Sequence, residues 1–442
     1  MCNRKDREVF IVENDGKIAL FAPMWGLVME IDFDEKLEVE KLLSKPDFSF
    51  EMLFKVFPEI DPDQLTNPVV EEPVVEFIDD FRPTSAALFT TSNCGLRCGY
   101  CYSSAGTNVV NMDISLAQAT VDFIISNARA MKRDECSLDF LGGGEPTHNW
   151  KVFQFALDYF QTKARSLNIN PKVTISTNGM LPETRANWLA SHLSIVQVSI
   201  DGTADIQNAQ RPTLSGGKSY DTVKRTIGIL LSKKVEVVLH SVITELGMTR
   251  IPEIVSSLCE NFSGIKTIHL EPAFSCGRGL LTGQKFPSAH TFVGGFIEAE
   301  GITRLHNVEL FYSGAGPNIT RLHLGFCGAV IPNFVVSPAG LVTACIEVSE
   351  SSHSQADRFI YGRFNRNNHR FDFDYDRILT LRESRSRIQV DSNCSECFAR
   401  FYCAGDCLAK HQPVEGVEID SLNPRCVLNR ELLRHYIFQR LT

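Results

Sequence analysis

No apolar run in the chain approaches the roughly 18 residues that a membrane span requires, and the opening stretch, MCNRKDREVFIVENDG, lacks the apolar core of a secretory signal. Both absences point to a cytoplasmic protein with no membrane partner. Basic charge is not in excess either: 44 Lys and Arg stand against 53 Asp and Glu, a net charge of −9. An acidic surface repels phosphates, so no nucleic-acid partner is expected. Internal repeats and low-complexity tracts are also missing, which excludes solenoids and disordered arrays.

What the chain does have is cysteine, 14 residues of it in 442. A cytoplasmic chain keeps its thiols reduced, so these cannot be a disulfide framework and point to metal or redox chemistry. Their spacing is uneven. Cys2 stands alone, Cys94, Cys98 and Cys101 fall within eight residues, and Cys136, Cys259, Cys276, Cys327 and Cys345 are scattered. Five more lie between Cys394 and Cys426, so two metal-binding regions are the natural reading.

Three domains are expected. Over residues 1–80, the runs EVFIVEN, KIALFAP and GLVMEID predict a small antiparallel sheet, with the turn NDGK between the first two. Helical patterns at DEKLEVEKLLS and SFEMLFKVF come next, and EIDPDQLTNPVVEEPVVEF, with three prolines, reads as a linker. Residues 85–280 carry six strand-like runs, AALFTT, SLDFLG, KVTIST, IVQVSID, VEVVLHSV and KTIHLEP, separated by helical stretches. One of these, SLAQATVDFIISNARAM, offers Ser115 and Gln118 as a capping box. Strands alternating with helices predict parallel βαβ units, hence a doubly wound sheet or a full or partial barrel. Residues 281–442 form the cysteine-rich remainder.

In either parallel architecture the active site belongs at the C-terminal ends of the strands. The cysteine triplet directly follows the first strand, GGGEPT the second, NG the third and DG the fourth. Thiolates select soft metals, and three on one loop can hold three corners of a [4Fe-4S] cube while one iron stays open. Three unrelated thiols, or a zinc site completed elsewhere, remain the alternatives on spacing alone.

Cys94-x3-Cys98-x2-Cys101, with Tyr100 before the last cysteine, resembles the defining motif of radical S-adenosylmethionine (radical SAM) enzymes, whose fold is a partial (β/α)6 barrel. GGGEPT is similar to that family's Gly-Gly-Glu-Pro motif, and STNG and VSIDG to its cofactor-binding strand ends. The resemblance implies that Gly143, Gly144 and Glu145 meet the methionine amino group through backbone and carboxylate. It places Ser176, Asn178, Ser199 and Asp201 near the cofactor and sets Arg211, in NAQRP, against its carboxylate.

The later cysteines resemble the SPASM extension, which holds two auxiliary [4Fe-4S] clusters. That resemblance gives Cys327, Cys345 and Cys407 to the first, with Cys276 the nearest candidate for a fourth ligand, and Cys394, Cys397, Cys403 and Cys426 to the second. A zinc ribbon is the plain alternative for this region. The N-terminal segment is similar in architecture to the small winged-helix domain that binds leader peptides by strand addition; a structural cap on the barrel would look the same in sequence.

The function these resemblances imply is a maturase with three [4Fe-4S] clusters and S-adenosylmethionine. It would install a thioether or carbon-carbon crosslink in a ribosomally made peptide through a 5′-deoxyadenosyl radical. A leader-bearing peptide and a flavodoxin- or ferredoxin-type reductant would be its partners. Anaerobic sulfatase maturation, which makes formylglycine, is the rival within the class. No catalytic acid or base can be assigned, although Asp201 and Glu271 are candidates. A non-catalytic iron-sulfur electron carrier or a zinc-stabilised interaction protein would leave the GGGEP loop and the open triplet unexplained.

Overall fold

Alternation of apolar residues along the six expected runs produces six strands, each with one buried face and one face that, exposed at the start of some strands, is half-buried toward its end. A computed structural model describes residues 8–65, 68–71, 81–384, 392–410 and 423–441; Cys2 and residues 72–77 of the proline-bearing linker lie outside them. The chain gathers into two compact units. One comprises residues 75–312 and 328–382, the other residues 1–74, 313–327 and 383–442.

In the first unit, β5 (Ser85–Leu88), β6 (Glu135–Phe140), β7 (Asn170–Thr177), β8 (Ile195–Ser199), β9 (Glu236–Ile243) and β10 (Thr267–Pro272) lie side by side in chain order, all parallel. This is the expected α/β partial barrel. Leu138, Ile175, Val198, Leu239 and Leu270 sit on the fully buried faces. The other faces carry Asp139, Thr174, Ser176, Gln197, Ser199, His240, His269 and Glu271, all half-buried, so the interior is polar.

The sheet does not stop at six strands. Beyond β10 it adds β11 (Glu309–Phe311), parallel, after a long helix at Ala289–Leu305. Beyond β5 it adds β13 (Val335–Val336), parallel to β5, and then an antiparallel run of β14 (Leu341–Thr343), β15 (Ile360–Asn365) and β16 (Arg370–Phe373). Residues 328–382 therefore extend the barrel's own sheet. The seam is covered by the helix Ile114–Ala130, whose Phe123 meets Phe334 and Phe371 at ring separations of 5.2 and 5.7 Å. That helix is capped by Asp113, which accepts from the Leu116 amide at 2.8 Å, and not by the expected Ser115. An aspartate two residues earlier wins because it reaches the third helical N–H while its own backbone stays extended.

The second unit begins with β1 (Phe10–Asn14), β2 (Lys17–Ala22) and β3 (Leu27–Ile31), an antiparallel sheet turned at Asp15–Gly16, both with positive φ. The helix Phe33–Leu43 follows, opened by a reciprocal Asp32–Glu35 capping box. Leu20, Val39, Phe50, Leu53 and Phe57 form its core. The second helix expected here is a short 3-10 turn, Phe50–Lys55. β4 (Val69–Glu71) pairs in parallel with β12 (Arg321–His323). The C-terminal helix Pro424–Gln439 packs on β1 and β2, so the cysteines of residues 394–426 share a unit with the N-terminal sheet.

Phe334, 2% exposed, holds the seam together through edge contacts with Phe81, Phe371 and Phe373. Phe334→Ala is expected to cost about 3–5 kcal/mol, as deletion of a buried aromatic ring does. Denaturant unfolding of the variant checks this.

Candidate active site

The cysteine triplet lies on residues 90–106, directly after β5, and the loop is held both from within and from a neighbouring loop. The Arg97 guanidinium donates to the Cys94, Leu96 and Gly106 carbonyls at 2.8, 2.8 and 3.2 Å. From the loop after β10, Arg278 donates to the Cys98 and Ala105 carbonyls at 3.0 and 2.7 Å and its amide donates to the Cys101 carbonyl at 2.8 Å. Gly277 makes this clasp possible: its φ is +51°, and an added Cβ would fall 2.1 Å from the Tyr102 carbonyl oxygen. Arg278 was not singled out in the sequence, although its place two residues after Cys276 was the available signal.

The loops after β6 and β7 meet on one carboxylate. Glu145 is buried; its Oε1 accepts from the Thr147 and Thr177 hydroxyls at 2.7 and 2.9 Å and from the Thr147 amide at 3.2 Å, and its Oε2 accepts from the Asn178 amide at 2.7 Å. The Glu145 amide in turn donates to the Asn93 carbonyl at 2.8 Å, beside Cys94. Gly144 lets these backbones approach, since a Cβ there would sit 2.3 Å from the Asn93 oxygen. Gly143 is close-packed on Phe89, and its carbonyl accepts from Ser103 at 2.8 Å. Asn178 donates to the Cys94 sulfur at 3.5 Å.

A second buried network stands at the end of β8. Asp201 accepts from the Tyr100 hydroxyl at 2.5 Å, from Arg211 Nε at 3.0 Å and from Gln210 Nε2 at 2.8 Å. Arg211 Nε also reaches the Tyr100 oxygen at 2.6 Å, and its guanidinium lies 5.5 Å from the Tyr100 ring centroid. The terminal nitrogens of Arg211 take no partner among the described residues, which leaves them for an anion. Ser176 and Ser199 sit on the half-buried faces of β7 and β8, with Ser199 in register with His240. Further along the same interior, His269 Nε2 lies 2.8 Å from Glu271 and its ring packs edge-on to those of His240 and Phe311.

Burial pushes the Cys98 thiol up to about 12, only partly opposed by the neighbouring Arg211 charge, and it raises Cys94 as well. Such thiols stay protonated until a positive centre replaces the proton, the behaviour expected of metal ligands awaiting metal. The all-sulfur donor set and the close-packed glycine loop beside it fit an iron-sulfur cluster.

Of the residues assigned to the first auxiliary cluster, Cys276 and Cys345 share the barrel unit. Burial raises the Tyr102 hydroxyl well above the usual phenol range, and the neighbouring Cys101, Glu347, Cys345 and Cys276 side chains add to it. Cys327 and Cys407 belong to the other unit. The second set is together: Cys394, Cys397, Cys403 and Cys426 line one pocket with Asp406 and Arg430. Burial raises Cys403 well above the usual thiol range and pushes Cys426 up to about 12. Asp406, between Cys403 and Cys407, is gripped by Arg425 at 2.6 and 2.9 Å, and Arg425 precedes Cys426, so one buried ion pair fastens two cysteine-bearing segments. Among the described residues no three His, Cys, Asp or Glu side chains converge on the position of a single ion.

Residues 88–256 match the family model described as the radical SAM superfamily. That stretch is therefore similar to radical SAM domains, in line with the spacing of Cys94, Cys98 and Cys101, and the later cysteines support a SPASM-type arrangement. Cysteine-type anaerobic sulfatase-maturating enzymes of Clostridium perfringens and Clostridium novyi are 28% identical over 158 residues, which is 35% of this chain and 42% of theirs. The aligned stretch therefore spans less than half the length of these curated relatives. The solved structure described as native anSMEcpe with bound AdoMet and Cp18Cys peptide shares the fold, with a TM-score of 0.62 and 20% identity over 81% of this chain and 98% of that one.

Arg211→Met would leave Asp201, fully buried, without its cation. Removing one member of a buried pair costs about 3–5 kcal/mol. The variant is expected to melt at lower temperature and to bind S-adenosylmethionine at least about tenfold more weakly, the equivalent of ~1.4 kcal/mol. Thermal unfolding and equilibrium binding measure the two effects.

Proposed function

We propose that the chain is a radical SAM maturase that installs a thioether or carbon-carbon crosslink in a ribosomally made peptide. The observation that carries the reading is the three-thiol loop at the C-terminal end of β5, enclosed by the Glu145 and Arg211 networks and opening on a polar strand interior. When bound, the cluster and S-adenosylmethionine supply a 5′-deoxyadenosyl radical that takes a hydrogen atom from substrate.

The residues of this chain divide the remaining tasks. Cys94, Cys98 and Cys101 hold the cluster. Backbone carbonyls of the Gly143–Gly144 loop receive the methionine amine, since the Glu145 carboxylate is already engaged in fixing that loop. The free nitrogens of Arg211 take the carboxylate, with Tyr100 and Asp201 fixing the direction of the guanidinium. Ser176, Asn178 and Ser199 line the ribose and methionine side.

The SPASM-type cysteines support a peptide substrate, as does the bound peptide of the structural relative. In the second unit β1 and β3 are the edges of the three-stranded sheet, and an edge is what strand addition of a leader requires. Cytoplasmic location and a flavodoxin- or ferredoxin-type electron donor complete the proposal; no described helix is long and apolar enough to cross a membrane. A second reading, formylglycine formation in a sulfatase, is favoured by the 28% identity to the clostridial enzymes. Mass spectrometry of treated peptides separates the two when combined with an aldehyde-specific reagent: a thioether or carbon-carbon crosslink removes two hydrogens and gives no aldehyde, whereas formylglycine is labelled.

Anaerobic reconstitution tests the common core. Three clusters of four irons correspond to about twelve irons per chain. Cys94→Ala, Cys98→Ala or Cys101→Ala is expected to abolish 5′-deoxyadenosine formation, whereas Cys403→Ala keeps some uncoupled cleavage and loses peptide conversion. Wild-type cleavage in a triplet variant would overturn the assignment.

A further inference from the structure

The pocket lined by Cys394, Cys397, Cys403 and Cys426 has Arg400 and Arg430 in its wall and Arg425 behind Asp406, and the three charges are spent differently. Arg400 forms a close ion pair with Glu8, and Arg425 is neutralised by Asp406. Arg430 makes no ion pair with a carboxylate among the described residues. Its Nε donates to the Cys397 sulfur at 3.2 Å, and a terminal nitrogen donates to the Asn393 carbonyl at 3.2 Å. Arg430 stands four residues after Cys426 on the helix Pro424–Gln439, one turn along the same face, so a single helix supplies both a thiolate and a cation to the pocket. Its charge also draws the Cys426 thiol down against the effect of burial.

Hydrogen bonds to the ligand sulfurs, net charge and burial set the potential of an iron-sulfur cluster. Reduction adds one electron to a group that four thiolates already make anionic. A guanidinium that faces sulfur stabilises the added charge and weakens electron donation from the thiolate to iron, and both effects favour the reduced form. We infer that Arg430 sets the potential of the second auxiliary cluster, raising it so that this cluster accepts the electron released when the substrate radical bonds to its partner atom and that atom's own bond to hydrogen breaks, the proton leaving to solvent. The inference rests on the reading that these four cysteines hold a cluster, and it adds a positioning role that the cysteine spacing does not contain.

The test uses the full-length chain, reconstituted anaerobically, with Arg430→Met, Arg430→Lys and wild type compared. Iron content with and without Cys403→Ala comes first: if that substitution removes no iron, the pocket holds no cluster, and the reading and the inference fall together. With the cluster present, potentiometric titration followed by electron paramagnetic resonance is expected to show the second auxiliary signal shifted to more negative potential in Arg430→Met, with Arg430→Lys between it and wild type. The other two clusters should not move. An unchanged potential in Arg430→Met at full iron content overturns the inference while leaving the cluster assignment standing. Wild-type protein grown on [15N]arginine gives a second measurement that survives a variant that fails to assemble. Pulsed resonance on the reduced cluster should show a nitrogen coupling that changes with the label, and a coupling indifferent to the label counts against the contact.

Discussion

Much of this site hangs on the burial of one carboxylate. Glu145 is sealed from solvent, and a sealed carboxylate is tolerable only when its oxygens are saturated with donors. The donors it finds belong to Thr147, Thr177 and Asn178, and its own amide is committed to Asn93. Three loops that leave three different strands are thereby fixed to a common point. The cysteine loop is then positioned relative to the strand ends by hydrogen bonds whose loss would expose an uncompensated charge, a larger cost than the loss of a neutral contact. Placement of the cysteine loop follows from electrostatics more than from apolar packing.

The Tyr100–Asp201–Arg211 network applies the same logic on the other side. A buried cation, a buried anion and a phenol satisfy one another, and the surplus donors of the guanidinium are left pointing away from the trio. Part of the arginine is structural and part remains available. A lysine, with a single nitrogen, could not divide itself in this way.

The fold was largely readable because its signal is local. Strands such as VEVVLHSV and KTIHLEP alternate with period two, the helix at residues 114–130 repeats its apolar face, and the loops between them carry glycine where backbones approach. What sequence could not give were partnerships between distant residues. Ser115 looked like a cap until Asp113 could be seen reaching Leu116, and Arg278 looked like one charge among many until it was seen clasping the loop of Cys98. After residue 280 the strands are only two to six residues long, too short for a period to declare itself, so β13 to β16 emerge only from their pairing with β5 and with one another. The grouping of Cys394, Cys397, Cys403 and Cys426 was readable from spacing, but the division of Cys276 and Cys345 from Cys327 and Cys407 between units was not.

The joining of β13 to β5 has a consequence for how the chain is made. Ala87 lies beside Val335, and Phe89 donates its amide to the Val336 carbonyl, so the first barrel strand acquires one of its two neighbours only after most of the polypeptide has left the ribosome. Until then β5 is an exposed edge, with unpaired backbone groups next to a cluster of phenylalanines still awaiting Phe334. Such long-range closure is slow, and a nascent chain held in that state is open to mispairing with its neighbours. Completion of the barrel sheet at β5 is thus a late, long-range step, and until it is made the chain carries one unfinished edge.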